Sequence, residues 1–526
     1  MVFKKKEILV FCYISVGFFA FFLNYWASSR GAFPLDTFVH FDSAARILNQ
    51  EYPIRDFWII HGFFIDFLQS LFFKIFGVKW VAYILHSSIF NSVIAIFTFK
   101  IFTEIELKIL PAFILTICIS TLAYPISGTP FLDLHSAFFS LFALYFLIIF
   151  IKKGSYFNIF FSIIFLGFAF LSKQVPAGYF IFFVGIFILI YSFKKKNYMP
   201  IVISFFSLVF FLTILSLYIK ISNTGFNNFI LQVFSFPSEI ARDRQTSYDL
   251  NIKNVFLDFK FIYLFLVPLT IIYFKSLTEK KSSNLINLSY FYLVVFYSLT
   301  LIYHQIYTKN QIFIFYLIPI LCAFLIYFCK NSKININKKY FNIFVITLCV
   351  LITIKYHYRF VEKRKFHELV NVDLNQAVKV NFEENFFNEL KWITPHYKNP
   401  KEELNLIENF YKVIKNENSK MIVITDYNFI SGLLNKKLHS PSRTFDNISY
   451  PKLNSKLYFN YKSFFRTNIL KNNIKIIYLF YPKMKDEKKL LNHIVFNYLP
   501  KNCYKPPKIE SKIIKIEIKS CKYLTN

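Results

Sequence analysis

The 526-residue sequence lacks the short motifs with which proteins commonly hold nucleotides and metal ions. It has no glycine-rich phosphate loop of the Walker or Rossmann type, and no metal-ligand spacing such as CxxC or HExxH. Nucleotide-driven pumping is therefore not expected. We expect no cofactor; a divalent cation is left open, although nothing indicates one.

Acidic residues are scarce, with 30 Asp and Glu against 61 Lys and Arg, which gives a formal net charge of +31. Much of the lysine stands in short tufts between apolar runs, where it orients membrane helices. The chain from His357 onwards carries roughly twice as many basic as acidic residues. A basic tail beside a membrane favours anionic lipid or phosphate-linked glycans as partners, and nucleic acid is not expected.

Aromatic and aliphatic residues are abundant, with 72 Phe and a mean hydropathy of +0.43. Repeated apolar runs predict a polytopic α-helical membrane protein with about eleven transmembrane helices. No small-residue cleavage site follows Lys4 to Lys6, so the first helix is expected to be retained. The predicted spans are 7–26, 79–102, 109–126, 134–151, 156–172, 175–193, 199–220, 260–275, 285–303, 311–329 and 340–356.

The lysine tufts predict a cytoplasmic N-terminus and a periplasmic or extracellular C-terminus. Residues 59–78 are long enough to span, but they carry Asp66, Gln69 and Lys74. Counting them as a span would move every later tuft to the outside. We therefore predict an amphipathic helix in the outer interface.

Two domains are expected, a transmembrane domain over 1–356 and a soluble extracytoplasmic domain over 357–526. The second domain shows helical patterns at Asn381 to Trp392 and at Glu402 to Lys415. Short β-rich runs follow these patterns, which predicts a small α/β domain. The runs are 421–425, 474–480 and 513–519.

Five of the seven cysteines lie in apolar segments, where we expect inert packing. Cys503 and Cys521 lie in the polar tail and are able to pair if the tail is exported.

A polar block from Phe33 to Gly62 lies between two apolar segments and concentrates carboxylates, histidines and arginines. Charge beside a membrane is costly, so such a cluster indicates a functional site. Asp36 and Asp42 are the candidate carboxylates for a general base. Each alone is also suited to cap a helix, but the whole block favours a site.

The block resembles the first external loop of GT-C glycosyltransferases, and more narrowly of protein O-mannosyltransferase and aminoarabinose-transferase relatives. The resemblance lies in Asp36-Thr37, Ala44-Ala45-Arg46-Ile47-Leu48 and Tyr52-Pro53-Ile54-Arg55-Asp56-Phe57. It implies an inverting enzyme that takes a sugar from a polyprenyl-phosphate carrier, with Asp36 as base on the acceptor. Thr37 replaces the usual Glu, Gln50 replaces a common Gly, and His61-Gly62 replaces His-Pro-Pro. These departures make Asp42 a rival to Asp36.

A departing lipid phosphate needs cations to offset its negative charge. Lys173 in LSKQVPAG resembles a Lys-Gln turn of these transferases, and a lysine snorkelling to the interface is the alternative. Local ion pairs are the alternative for the two arginines of the 221–259 loop. The phosphate-binding candidates are Arg55, Lys173, Arg242, Arg244, His304 and Lys309, and the supporting candidates are His40, Asp133 and His135. Asp133 is also suited to cap a helix.

The expected function is transfer of a monosaccharide from a polyprenyl-phosphate carrier to a lipid, glycan or protein acceptor on the extracytoplasmic face of a bacterial inner membrane. An endoplasmic reticulum membrane with a lumenal site is the alternative location. A transporter or flippase of lipid-linked glycans would instead place paired ionisable residues within the spans. An O-antigen polymerase or ligase would place its key arginines in a large mid-chain loop, as Arg242 and Arg244 are placed.

Overall fold

The computed structural model describes residues 5–247, 250–278, 285–332, 337–446, 448–483 and 490–519. The chain forms two compact units. We call the first the helical unit; it consists of Met1–Ser29, Ile84–Leu215 and Ser247–Arg364. We call the second the loop–tail unit; it consists of Arg30–Tyr83, Ser216–Thr246 and Lys365–Asn526.

Long helices dominate the first two thirds of the chain. In order they are α1 (Lys5–Ser29), α2 (Val39–Leu48), α3 (Phe64–Phe76), α4 (Trp80–Glu104), α5 (Ile109–Leu122), α6 (Leu132–Lys153), α7 (Tyr156–Ser172), α8 (Gln174–Lys195), α9 (Met199–Ile221), α10 (Phe226–Ile230), α11 (Phe236–Ser247), α12 (Lys260–Thr278), α13 (Leu285–Thr308), α14 (Leu317–Asn331) and α15 (Lys338–Tyr356).

Ten helical segments in the described ranges are long and apolar enough to cross a membrane, and they coincide with ten of the eleven predicted spans. The remaining span falls on α7, an apolar helix of 17 residues. Helices are suited to this setting because each satisfies its own backbone hydrogen bonds without water. Within the helical unit α6 is buried almost throughout, whereas α9 has only Pro200, Ser207 and Phe211 buried, as expected for a lipid-facing helix.

Helix α3 carries the segment that was predicted to lie in the interface. It has 13 residues, with Asp66, Gln69 and Phe73 buried and Leu71 and Ile75 exposed. At 1.5 Å per residue it measures roughly 20 Å, against a hydrocarbon thickness of about 30 Å. This length supports leaving α3 out of the spans. The orientation of the termini stays a prediction.

The tail contains the predicted small α/β fold. Its elements are β1 (Val378–Lys379), α16 (Glu384–Phe387), β2 (Lys391–Trp392), α17 (Pro400–Asn416), β3 (Met421–Thr425), α18 (Ile430–Leu434), α19 (Tyr458–Lys471), β4 (Ile476–Phe480), β5 (Lys508–Glu510) and β6 (Ile513–Glu517). The main sheet has the order β3-β4-β6-β5. Strands β3 and β4 are parallel, from Met421 opposite Ile476 to Thr425 opposite Phe480, and the other pairs are antiparallel.

Sequence patterns located the three main strands and helix α17 within two residues of their observed positions. The helix expected from Asn381 to Trp392 was wrong. Only the single turn α16 forms there, because Glu383 and Asn388 at its two ends have left-handed φ angles of 49° and 52°. The chain then leaves the turn as strand β2, which pairs with β1.

All three segments of the loop–tail unit contribute to one hydrophobic core. Trp58 packs on Phe236 and on Tyr461, with ring centroids 5.8 and 5.5 Å apart. Cys503 is buried in this core, and Cys521 lies outside the described residues, so their pairing stays a prediction. The predicted domain boundary after residue 356 also stays a prediction.

Candidate active site

Asp36 stands on a short 3-10 helix, Leu35–Phe38, that follows a tightly held turn. At Gly31 φ is +71°, and a Cβ there would come inside the contact distance of the Lys391 backbone nitrogen, so no other residue fits without strain. The next amide, Ala32 N–H, donates to the Lys391 carbonyl at 2.9 Å. The tail therefore fixes where the Asp36 helix begins.

Asp36 is the one exposed residue between Gly31 and Phe38. Its neighbour Thr37 is buried and its carbonyl accepts a hydrogen bond from Tyr83 Oη at 2.6 Å. Phe38 is buried against Phe429, with ring centroids 5.2 Å apart. Because its flanking side chains are anchored inward, the Asp36 carboxyl is held at the accessible side of the turn.

The Asp36 carboxyl is accessible to solvent but is surrounded by protein and by other charges. Burial raises the pKa of Asp36, and repulsion from Asp446 and Asp426 raises it further, while His367 and Lys483 act in the opposite direction. A raised pKa makes a carboxylate a stronger proton acceptor, as a general base requires. The geometry and charge of Asp36 therefore suit the role predicted for it.

Glu368 lies beside this turn and was not identified from the sequence. Its Oε1 accepts the backbone N–H of Leu35 at 2.6 Å. Burial, with added repulsion from Asp36, raises the pKa of Glu368 to about 7. Among the neighbours that act to lower the pKa of Asp36, His367, which precedes Glu368 in the sequence, has the largest effect. The start of the tail thus brings two titratable side chains to the Asp36 turn.

Asp42 has a different environment from Asp36. It is buried in α2, accepts a hydrogen bond from Ser431 and lies 3.9 Å from the guanidinium of Arg46. Burial raises the pKa of Asp42, and the Arg46 charge and the Ser431 hydrogen bond offset part of that effect. This placement favours Asp36 over Asp42 as the base and gives Asp42 a packing contact with the tail.

His40 also lies in a buried ion network. Its Nδ1 is 2.7 Å from Asp66 Oδ1, and Arg443 from the tail pairs with the other oxygen of Asp66. Six residues further along α2, Arg46 donates to Glu51 at 3.2 Å and to the Ser440 carbonyl at 2.7 Å. These contacts join α2 and α3 to the tail, and breaking one buried pair of this kind costs about 3–5 kcal/mol.

Arg55 is held by its own loop. Its Nε donates to Asp56 at 2.8 Å, and its other nitrogens donate to the carbonyls of Gln50 and Ser222 at 2.7 and 3.1 Å. Asp56 in turn accepts the N–H of Tyr52 at 2.8 Å. This arrangement favours a structural role for Arg55 in the Tyr52–Phe57 turn over phosphate binding.

In the helical unit, Asp133 brings together two of the candidate phosphate-binding residues. Both of its oxygens accept hydrogen bonds from Lys173 Nζ at 2.8 Å, and Gln305 donates to Oδ1 at 3.1 Å. His304 Nε2 lies 3.4 Å from the same oxygen. We call these four residues the Asp133 cluster; all are buried and stand at the ends of α6, α7 and α13. The cluster combines a cation with a titratable donor.

The remaining candidates lie elsewhere. His135 is buried in α6 and bonds to Tyr124 and, at 3.1 Å between the two Nε2 atoms, to His86. Lys309 is exposed just after α13. Arg242 is exposed and Arg244 is half-buried on α11. Within the described ranges, no three His, Cys, Asp or Glu side chains are grouped so as to hold a metal ion.

Sequence reasoning missed the partners that the tail provides, above all Glu368, His367, Ser431 and Arg443. Each stands hundreds of residues from its partner in the loop, 333 in the case of Leu35 and Glu368. The one signal in the sequence was Asp66 itself, because a carboxylate on a mainly apolar helix needs a counterion when it is buried.

The fold and the family comparison identify the class of protein that this chain resembles. Residues 60–217 match the family model of dolichyl-phosphate-mannose-protein mannosyltransferase. The fold is similar to that of ArnT from Cupriavidus metallidurans bound to undecaprenyl phosphate, with a TM-score of 0.50, 11% identity and 98% of each chain covered. The apo state of that ArnT gives a TM-score of 0.49, 10% identity and 97% of each chain. No curated protein sequence matches. The resemblance to GT-C glycosyltransferases is thereby confirmed.

Proposed function

We propose that this protein is a membrane glycosyltransferase that moves a monosaccharide from a polyprenyl-phosphate carrier to an acceptor, with Asp36 as the base. The observation that carries the proposal is the contrast between the two loop carboxylates. Asp36 is accessible and held on a fixed turn, whereas Asp42 is buried and paired, and the pKa of each is raised by burial. The family match over 60–217 and the ArnT-like fold support the choice of donor.

In the proposed step, the acceptor is a hydroxyl or amine of a lipid, glycan or protein. Its oxygen or nitrogen forms a bond to the anomeric carbon of the sugar as the bond from that carbon to the phosphate oxygen breaks. Asp36 takes the acceptor proton, and the electron pair of the broken bond leaves with the polyprenyl phosphate. A single displacement of this kind inverts the anomeric centre. We place the reaction on the extracytoplasmic face, following the lysine pattern.

For the phosphate we propose Lys173 and His304 of the Asp133 cluster. Lys173 is already oriented by two hydrogen bonds to Asp133, so little side-chain entropy remains to be lost when an anion binds. A phosphate would compete with Asp133 for the ammonium hydrogens, and His304 would add a second donor. Arg55 is a weaker candidate because its donors are engaged within the loop.

The test is sugar transfer by the full chain in membranes supplied with radiolabelled polyprenyl-phosphate sugars. Variants Asp36→Asn and Asp42→Asn are compared with native protein at matched amounts of folded protein. Asp373→Asn is the control, because Asp373 is exposed and its cap of the Asn375 N–H survives the change to an amide. We expect Asp36→Asn to lower transfer by at least about 100-fold, the usual contribution of a general base.

Each outcome has a distinct meaning. Loss of transfer only with Asp42→Asn would keep the class of enzyme and move the base. Loss only with Arg242→Gln or Arg244→Gln would favour a polymerase or ligase. If no carrier lipid supports transfer by the native chain, the transferase proposal is refuted, and lipid flipping becomes the function to measure.

A further inference from the structure

We propose that Glu368, from the start of the tail, is a positioning residue for Asp36 and forms with it a paired-carboxyl site. The inference rests on the proposed function, in which Asp36 is the base. It adds a residue that the loop sequence does not contain, since position 37 of the loop is a threonine.

The segment that carries Glu368 is anchored beside the loop. Leu369 and Val372 pack in one buried cluster with Ala32 and Ile393. Ala32 is two residues before Pro34, and its amide is bonded to Lys391 at 2.9 Å. The backbone on both sides of the Glu368–Leu35 contact is thus fixed by packing that does not involve either carboxyl group.

Glu368 holds the first residue of the Asp36 helix. Its Oε1 accepts the Leu35 N–H at 2.6 Å, which is the amide immediately before Asp36. Pro34 has no N–H, so Leu35 provides the first amide of this turn. A change in this hydrogen bond therefore alters the direction from which Asp36 projects, and misplacement of a catalytic group is costly to the rate.

The two carboxyls also interact electrostatically. After burial, the charge of Asp36 is the next raising influence on the pKa of Glu368, ahead of that of Glu403, while the Leu35 N–H and Lys483 act in the opposite sense. With its pKa at about 7, Glu368 is ionised above neutral pH and protonated below it. His367 and Lys483 act to lower the pKa of Asp36, and because the charges of Asp36 and Glu368 repel each other, proton loss from one carboxyl depends on the charge of the other.

This repulsion gives Glu368 a specific effect on the reaction. When Glu368 loses its proton, its negative charge repels the charge of Asp36 and increases the affinity of Asp36 for the acceptor proton. Transfer should therefore rise as the pH increases through about 7, in addition to the rise that accompanies ionisation of Asp36 itself. A neutral residue at position 368 would remove the first rise and leave the second.

The pairing can be tested without any enzymatic activity. Purified full-length protein is treated with dicyclohexylcarbodiimide, which reacts with protonated carboxyl groups, at pH values from 5 to 9, and labelling of each peptide is read by mass spectrometry. Exposed Glu384 of α16 serves as the internal reference. We expect labelling of Glu368 to be half-maximal near pH 7 and to move to lower pH in the Asp36→Asn variant.

The role in transfer is tested by the pH profile of kcat/KM. Glu368→Gln keeps an oxygen that accepts the Leu35 N–H but cannot ionise, so we expect the variant to lose the rise near pH 7. At pH 8 we expect it to be roughly threefold slower than native protein, on the basis that the rate changes by about half a logarithm for each unit by which the pKa of the base changes. Glu368→Ala also removes the acceptor, and we expect about a further tenfold loss in kcat. Glu384→Gln is the control.

The two measurements distinguish failure of the carboxyl pairing from failure of the positioning role and of the proposed function. Glu368 labelling that does not respond to Asp36→Asn would overturn the pairing, whatever the enzyme does. A Glu368→Gln pH profile that superimposes on the native one would overturn the positioning role and leave Glu368 as a structural cap of the turn. Absence of transfer by the native chain would refute the proposed function and the catalytic role together, while the labelling would still decide whether the two carboxyls are paired.

Discussion

The ion pair between Asp133 and Lys173 provides the most direct test of packing in the helical unit. Both oxygens of Asp133 accept from Lys173 at 2.8 Å, and both side chains are buried. Asp133→Asn leaves a buried ammonium without its counterion, and Lys173→Met leaves a buried carboxylate. Because either single change strands a charge, we expect each to lower the free energy of unfolding by about 3–5 kcal/mol.

The double variant should be far less affected than the sum of the two single variants. With both charges gone, the desolvation penalty disappears together with the attraction, so the expected coupling energy is about 3 kcal/mol or more. The assay is thermal unfolding of purified protein in detergent, followed by loss of the monodisperse peak in size-exclusion chromatography. Glu104→Gln is the matched control, because its partner Lys153 is half exposed and such pairs contribute about 0–1 kcal/mol.

High salt provides a second criterion. Screening should weaken the Glu104 pair and leave the Asp133 pair almost unchanged, because water and ions have little access to the latter. If the two single variants unfold at the native temperature, or if their effects add in the double variant, Asp133 and Lys173 do not form the buried pair described above. The cluster would then have no part in holding α6, α7 and α13 together.

Two further predictions concern the loop–tail unit. Gly31→Ala should destabilise this unit by about 2 kcal/mol or more in thermal unfolding, because a left-handed φ and a clash with Lys391 act together. Gly77→Ala is the control: Gly77 has φ +83° but no atom near the added Cβ, so we expect only the smaller cost of backbone strain. Equal effects of the two substitutions would contradict the close approach of Gly31 to Lys391. Partial burial would raise the pKa of Glu417, but hydrogen bonds from Ser419 and Tyr478 outweigh it and lower the pKa to about 2. The ionised Glu417 side chain therefore stabilises the folded protein above about pH 4.5, and this contribution is lost as the pH falls towards 2. The difference in Tm between native protein and Glu417→Gln should therefore shrink over that interval, and a difference independent of pH would refute the assignment.

The parts of the fold that could be predicted are those in which one local property decides the outcome. An apolar run of about 20 residues has to be helical in lipid, so the spans were found. The strand runs around Val423, Leu479 and Ile514 were found because β-branched residues concentrate there. The expected helix at 381–392 failed because two left-handed residues interrupt it, and side-chain composition does not report such backbone angles.

The candidate site was predictable only in part, for a related reason. Asp36 stood out because a charge beside a membrane is costly. The choice between Asp36 and Asp42 required their surroundings, and those come from the tail: Ser431 lies 389 residues after Asp42. No periodicity joins positions so far apart. Sequence patterns likewise could not predict that Glu368 pairs with the Asp36 turn.

The discontinuity of the loop–tail unit also has a consequence for how the protein is made. Asp66 is synthesised 377 residues before Arg443, the side chain that pairs with it. At 5–20 residues per second this interval is roughly 20 to 75 s. Throughout that time Asp66 lacks its partner Arg443 and Asp42 lacks its partner Ser431, and the surfaces of α2 and α3 that pack on the tail are uncovered. Chains that terminate before residue 443 should remain in this state, so we expect nascent and truncated forms to depend on chaperones or to be degraded.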